Sequence, residues 1–451
     1  METRAVETRG GTGRPVAAWA GLAIAVALVV LAVTLPRLFD WQIYSHANPS
    51  PNDVPPLHSL WEPKIGPGTV PALLIALLAA RHAWSLAERL TWPRLLAGTY
   101  VVGLAWLLAL AYVDGSDGIS RVLGNPFEYL ETARTISDVP AMLREYVDRI
   151  PYAASDNWVT HVAGHPPGAL LFFVVLDRLG LAGDLSAGLV VAGVAASTSV
   201  AVLVAVRALG AEVSARRAAP FLVLGPAALW TAVSADAVIA AVAAWGLAML
   251  ALGATARRRS WRVTWSAGAG VLLGYCVMMS YGMPLLGLIA AAVLVAARAW
   301  HPFPVAALSA SAVVLSFAAR GFTLWEAFPV LQERYWDGVA AERPAAYWMW
   351  ANLAALALCA GPLLGAGLAR LVAARREAER AVLLLVGAAA GAIALADLSR
   401  MSNGEVERIW LPFVPWLLLS TALLPERWRR TGLAAQVGVA LVLQHLLYTS
   451  W

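Results

Sequence analysis

The sequence predicts an all-α, polytopic membrane protein of about thirteen transmembrane helices, with amphipathic helices lying in the membrane interface within its external loops. Three observations carry that prediction. Hydrophobic residues make up 60% of the 451 and charged residues only 14%, where a soluble domain carries roughly a quarter. Apolar runs of about 17–24 residues recur along the chain, the length needed to cross ~30 Å of hydrocarbon. Arginines gather in one set of short connections, while the other set holds most of the acidic, histidine and tryptophan content outside the spans.

The elements follow from where the arginines fall. Arg4, Arg9 and Arg14 mark the N-terminal tail as cytoplasmic, and Gly10, Gly11 and Gly13 follow no strand and read as flexible. The run 16–35 is too long for a signal-peptide core and lacks a small-residue cleavage site, so it reads as a retained first span. Residues 36–66 then lie outside. A second helix around 70–80 returns to Arg81, Arg89 and Arg94, and 95–113 leads out again. The chain is thus one transmembrane domain in three parts: a tail and helical pair (1–94), a main unit (95–424) with the long external loop 114–166, and a C-terminal helix (425–451).

Four apolar pieces lie between Pro166 and the cytoplasmic cluster Arg257, Arg258, Arg259 and Arg262, where an odd number of crossings is required. The first, 169–176, is short and starts at helix-breaking prolines, so it is expected to be re-entrant or to lie in the interface. Helices near 264–281, 284–299 and 303–319 leave 320–347 outside. A helix over 348–368 returns to Arg370, Arg375, Arg376 and Arg380. Residues 399–408 are external, Arg427, Arg429 and Arg430 internal, and a last span near 431–449 ends outside.

The formal charge of +5 does not point to nucleic acid. Lys64 is the only lysine, and the arginines sit as orientation signals between spans. Cys276 and Cys359 both fall in apolar segments, where they act as small buried hydrophobes rather than as a disulfide or zinc pair.

Chemistry concentrates in the external loops. Asp114 and Asp117 directly follow a span, where partial desolvation makes a carboxylate a better proton acceptor. Residues 125–134 read as a short amphipathic helix, with Tyr129, Leu130 and Ala133 in the interface and Glu128 and Glu131 facing a site. His161 and His165 precede Pro166-Pro167-Gly168, a rigid polar corner opening into an apolar segment. The histidines share a face if helical, but the prolines favour an extended turn. Phosphate or hydroxyl binding suits them better than zinc, for which no third ligand stands at suitable spacing.

The loop 399–408 carries Arg400, Glu405, Glu407 and Arg408, breaking the positive-inside pattern. An arginine there can fork onto a phosphodiester. A Glu405–Arg408 or Glu407–Arg400 pair that merely pins the loop is the plainer alternative. The patch from Trp325 to Arg343 suits sugar holding and interface anchoring equally, and Tyr281, at the outer end of a span, is placed to line the same cavity. Asp236 and Asp397 are the acids inside or beside apolar stretches. Both fall near an external end, whereas a coupled transporter more often places such groups at the midplane.

In order along the chain, these features resemble the GT-C superfamily of membrane glycosyltransferases, which use polyprenyl-phosphate sugars as donors. Such proteins have a span, an external loop beginning with acids, a His-Pro-Pro corner, and a late Glu-x-x-Arg before a Pro-x-x-Pro helix. Here 95–113, Asp114 and Asp117 with Glu128 and Glu131, His165-Pro166-Pro167, Glu405-Val406-Glu407-Arg408 and Pro412-Phe413-Val414-Pro415 match them. The likeness covers roughly 95–424, and the helical pair at 16–80 is additional to it. The Pro-Pro-Gly ending and arginine-rich composition look like actinobacterial members acting on cell-envelope glycans, and are similar to methylthioxylose transferases that decorate lipoarabinomannan.

The resemblance implies an inverting hexosyl- or pentosyltransferase in the plasma membrane, multi-pass, with an extracytoplasmic site. Its donor is a polyprenyl-phosphate-linked sugar, its acceptor a glycan or glycolipid, and its surroundings membrane lipid. The catalytic acid falls on Asp114, Asp117 or Glu128, with the first two favoured. Arg408 holds the departing phosphate, assisted by His165 or Arg400, and Glu131, His161, Tyr281, Arg343 and Glu405 bind substrate. No cofactor motif is present; a divalent cation bridging the phosphate is compatible with this chemistry. A lipid-linked glycan transporter or flippase, or a ligase or acyl- or phospho-transfer enzyme, is the competing reading.

Overall fold

A computed structural model of the chain describes residues 13–449, so the tail ahead of Gly13 lies outside the described residues. Helix dominates. The one sheet among the described residues pairs Ser59–Trp61 antiparallel with Leu447–Thr449. Among the described residues six helices are long and apolar enough to cross a membrane: Val16–Leu38, Thr69–Arg89, Trp92–Asp114, Asp184–Ala208, Ala235–Thr255 and Arg380–Leu398. A seventh span results if Ala345–Ala360 and Leu363–Ala373, bent by 102°, are taken together.

That bend occupies the middle of the single helix expected over 348–368. Pro362 follows Gly361, which has φ 88°, a conformation that glycine alone adopts freely. Breaking a helix in an apolar interior strands backbone groups, and Gln436 meets them. Its Nε2 donates to the Ala360 carbonyl at 2.9 Å and its Oε1 accepts from the Leu363 amide at 3.2 Å. Gln436 is itself fully buried. Against the second half of this pair lies the first helix, so close that a Cβ on Gly21 would stand 2.2 Å from the Gly365 oxygen. Small residues permit such an approach where no hydrophobic drive separates helix from lipid.

The bundle has two chemically distinct ends. At one, arginines tie helix termini together: Arg216 donates to the Ala87 and Leu90 carbonyls, Arg429 pairs with Glu88 at 2.9 Å, and Arg380 reaches the Val295 carbonyl. At the other end the long loops fold into short helices, namely Asp117–Ser120, Tyr129–Thr135, Val139–Glu145 and Thr160–Ala163, with Leu324–Trp336 beside them. The piece 169–176, expected to be re-entrant or to lie in the interface, falls within the Pro167–Arg178 helix. The Pro167–Arg178 helix starts at this loop end, where the Gly168 amide bonds the Met278 carbonyl. It returns there too, because Arg134 of the loop holds both the Ala182 carbonyl and Asp184.

The predicted amphipathic helix forms over Tyr129–Thr135 with Tyr129, Leu130 and Ala133 buried, but its two acids diverge. Glu128 is its buried N-cap, whereas Glu131, three residues on, points to the exposed side. Both cysteines are free and buried.

Candidate functional site

Four segments close over a cavity of about 500 Å³ at the loop end, within the size range of small-ligand sites. His161 and His165 enter it from the His-Pro-Pro corner, Tyr281 from the turn after Arg259–Val277, and Arg334, Tyr335 and Arg343 from the segment 324–343. Ser399, Glu405 and Arg408 complete it from the last loop. The apolar part of the wall includes Leu285, Phe328, Leu331 and Leu395.

The corner works because its two halves differ in backbone. Thr160–Ala163 forms one helical turn, Pro166 is extended, and the next helix starts at Pro167, a position where the missing N–H costs nothing. His165 Nδ1 lies 2.9 Å from the His161 carbonyl, and its ring meets Tyr129 edge-on. Burial lowers the His165 pKa, so the ring is neutral at physiological pH. His161 Nδ1 lies 2.5 Å from Glu128 Oε1, and the second Glu128 oxygen is buried without a partner.

Arg408 forms the electrostatic centre. Its Nη1 donates to Asp236 at 2.7 Å and its Nη2 to Glu405 at 3.1 Å, with both Arg408 and Asp236 nearly buried. Burial disfavours the guanidinium charge, but Asp236, Glu405 and Glu128 together hold the Arg408 pKa above its ordinary value. Gly404 (φ 84°) and Glu405 (φ 59°) turn the backbone through the left-handed region just before the Val406–Ile409 turn. A Cβ at Gly404 would stand 2.9 Å from Arg343 Nη1. Burial would raise the Glu405 carboxyl, yet His58, Arg343 and Arg408 hold it well below the usual carboxylate range. Its neighbour Glu407 is fully buried, and burial pushes it up to about 7.

Of the residues singled out from sequence, His161, His165, Tyr281, Arg343, Glu405 and Arg408 line this cavity. Glu128 stands directly behind His161. Asp114, expected beside Arg408, is elsewhere: Lys64 Nζ lies 3.0 Å from it and Gln444 donates to it at 3.2 Å. Asp117 is exposed at the start of its own short helix. Glu131 is exposed away from the cavity, and Arg400 lies over the Trp336 ring rather than in the pocket. The Glu405–Arg408 pair exists. Glu407, however, accepts from the His58 amide at 2.8 Å instead of pairing with Arg400.

Sequence reasoning missed the roles of Asp236 and His58. Asp236 carried a signal, an acid in the first turn of an otherwise apolar helix behind the Ser234 cap. For His58 there was none, because its contact to Glu407 spans 349 residues. Among the described residues no three His, Cys, Asp or Glu side chains converge as metal ligands.

No protein-family model matches the chain, and no curated protein matches it.

Proposed function

We propose that the protein is an integral membrane glycosyltransferase that moves a sugar from a polyprenyl-phosphate donor onto a cell-envelope glycan or glycolipid. One observation carries this reading: a buried, carboxylate-held arginine and a Glu128–His161 pair stand at one loop-end cavity. The arginine suits a phosphodiester, and the pair suits a hydroxyl that must lose its proton.

In the transfer, the acceptor hydroxyl gives its proton to His161, with Glu128 stabilising the imidazolium. The acceptor oxygen attacks the anomeric carbon opposite the phosphate. The bond from that carbon to the phosphate oxygen breaks, and polyprenyl phosphate leaves with the electron pair, its charge stabilised by Arg408. The apolar wall at Leu285, Phe328 and Leu395 accepts the first isoprene units. Glu128 takes precedence over Asp114 and Asp117 because it alone of the three contacts a cavity-lining residue, His161, while Lys64 already balances Asp114.

The topology that goes with this reading has about thirteen crossings. They are the six membrane-length helices, the bent pair, and Glu212–Val223, Arg259–Val277, Met283–Ala297, Pro302–Ala318, Val414–Leu423 and Glu426–Leu446. The segregation of arginine-rich and loop-rich ends supports it, and the positive-inside rule favours a cavity on the extracytoplasmic side of the plasma membrane.

The test is reconstitution in lipid nanodiscs with radiolabelled polyprenyl-phosphate sugars and an envelope glycan acceptor. Wild-type protein is expected to transfer label. Glu128→Gln should lower kcat by about 10²–10⁴-fold with donor binding retained, whereas Asp114→Asn should not approach that loss. Equal transfer by wild type and Glu128→Gln would remove the Glu128–His161 pair from the proposed mechanism. Movement of intact donor across the bilayer without transfer would favour a flippase.

A further inference from the structure

We propose that the first outer loop, residues 39–61, is the positioning element of this site: through Ser45 it holds Arg343 as a strut and thereby sets the 403–408 segment that carries Arg408. This deepens the proposed function and rests on it only for its kinetic consequences.

Counting donors separates a strut from a ligand. A guanidinium has five N–H groups. Arg343 spends Nε on the Tyr44 carbonyl at 2.9 Å, and Nη2 on the Ser45 carbonyl at 3.1 Å and Glu405 Oε1 at 3.0 Å. Its Nη1 bonds the Asn403 carbonyl. The side chain is 5% exposed, so it lines the cavity while having almost nothing left to offer a phosphate. Lysine, with a single point of charge, cannot span these acceptors.

The acceptors on the other side are themselves built. The Ser45 carbonyl takes hydrogen bonds from both Arg343 and His58 Nδ1, the latter at 2.9 Å. Its hydroxyl donates to Asp53 Oδ2 at 3.0 Å, and the Ser50 amide donates to the same oxygen at 3.2 Å. His46 Nδ1 stands 3.1 Å from the other Asp53 oxygen. Tyr44 holds φ 52°, a costly conformation for a side-chain-bearing residue that persists only where surroundings enforce it. The Trp348 indole fastens the Ile43 carbonyl at 2.8 Å, and the His58 amide fastens Glu407. The path runs Asp53, Ser45, Arg343, Glu405, Arg408, each step a hydrogen bond. The loop of the helical pair that stands outside the GT-C likeness therefore braces the site from behind Arg343 and Glu407.

Hydrogen exchange and kinetics on Asp53→Ala, Arg343→Ala, Arg343→Lys and the Asp53→Ala/Arg343→Ala double variant test this. Asp53→Ala should speed amide exchange across 403–409 by about tenfold, with 139–150 unchanged. Its kcat should fall by about tenfold with donor KM within about threefold. Arg343→Lys should lose as much as Arg343→Ala, and adding Asp53→Ala to Arg343→Ala should cost less than about twofold more. Unchanged exchange at 403–409, exchange raised equally everywhere, full additivity, or rescue by lysine would each overturn the inference. Should Asp53→Ala fail to fold, Ser45→Ala removes one buried hydroxyl and is expected to act in the same direction. If wild-type protein transfers no sugar, the proposed function fails while the exchange result still decides the positioning role.

Discussion

At the scale of single residues, the site is governed by charges that the protein has taken out of water. Removing one partner of a buried ion pair leaves the other uncompensated and costs about 3–5 kcal/mol. Arg408→Ala should therefore destabilise the fold by about that much, since Asp236 and Glu405 both lose their guanidinium. Thermal unfolding in detergent would show it, and a change under 1 kcal/mol would mean the pair is more hydrated than its burial indicates. Glu407 gives a second expectation. Burial raises its carboxyl to about 7, one oxygen has no partner, and nearby His58 is pushed by burial down to about 4 and stays neutral between pH 5 and 8. The folded state thus binds a proton that the unfolded chain releases near pH 4.5. This contribution is full below that pH, is lost as pH rises toward 7, and changes by at most about 1.4 kcal/mol per unit. Glu407→Gln keeps the neutral form, so its melting temperature should gain on wild type between pH 5 and 8. Parallel pH profiles would refute the assignment.

At the scale of elements, close backbone approach decides what each helix can do. The corner at Pro166-Pro167-Gly168 docks on the end of Arg259–Val277, where Tyr275 donates to the Gly168 carbonyl at 2.8 Å and a Cβ on Gly168 would lie 2.3 Å from the Met278 oxygen. Gly168→Ala is expected to push the corner off that helix, move His165 and cost transfer activity. Gly365→Val should likewise separate the first helix from Leu363–Ala373. Retained melting temperature and activity in both would show the contacts to be slack. These elements also show what sequence can reveal. The corner, the helix now seen at Tyr129–Thr135 and the 399–408 loop were legible because proline, amphipathic spacing and misplaced arginines are local signals. The choice among Asp114, Asp117 and Glu128 was not. It depends on which acid meets Lys64 and which meets His161, contacts 50 and 33 residues apart in sequence that no periodicity encodes. The break at Gly361 was equally hidden, because the glutamine that makes it affordable lies on the last helix.

At the scale of the whole molecule, the fold is a sorting of polar chemistry to two ends, and sidedness is its most exposed consequence. Arginine clusters at 257–262 and 370–380 should face the cytoplasm, and the loop helices carrying His161 and Arg334 should face outward. The two native cysteines are buried, so single cysteines can be introduced without removing them. Ser155 is exposed in the long loop, and Ser260 is exposed beside the arginine cluster. Ser155→Cys should react with a membrane-impermeant maleimide on intact cells, whereas Ser260→Cys should react only after permeabilisation. Labelling of both in intact cells would put an even number of crossings between them and displace the Pro167–Arg178 helix from its place on the loop side. The reverse pattern would turn the cavity to the cytoplasm. The acceptor would then have to lie in the cytoplasm, and transfer onto an external envelope glycan would lose its physical basis.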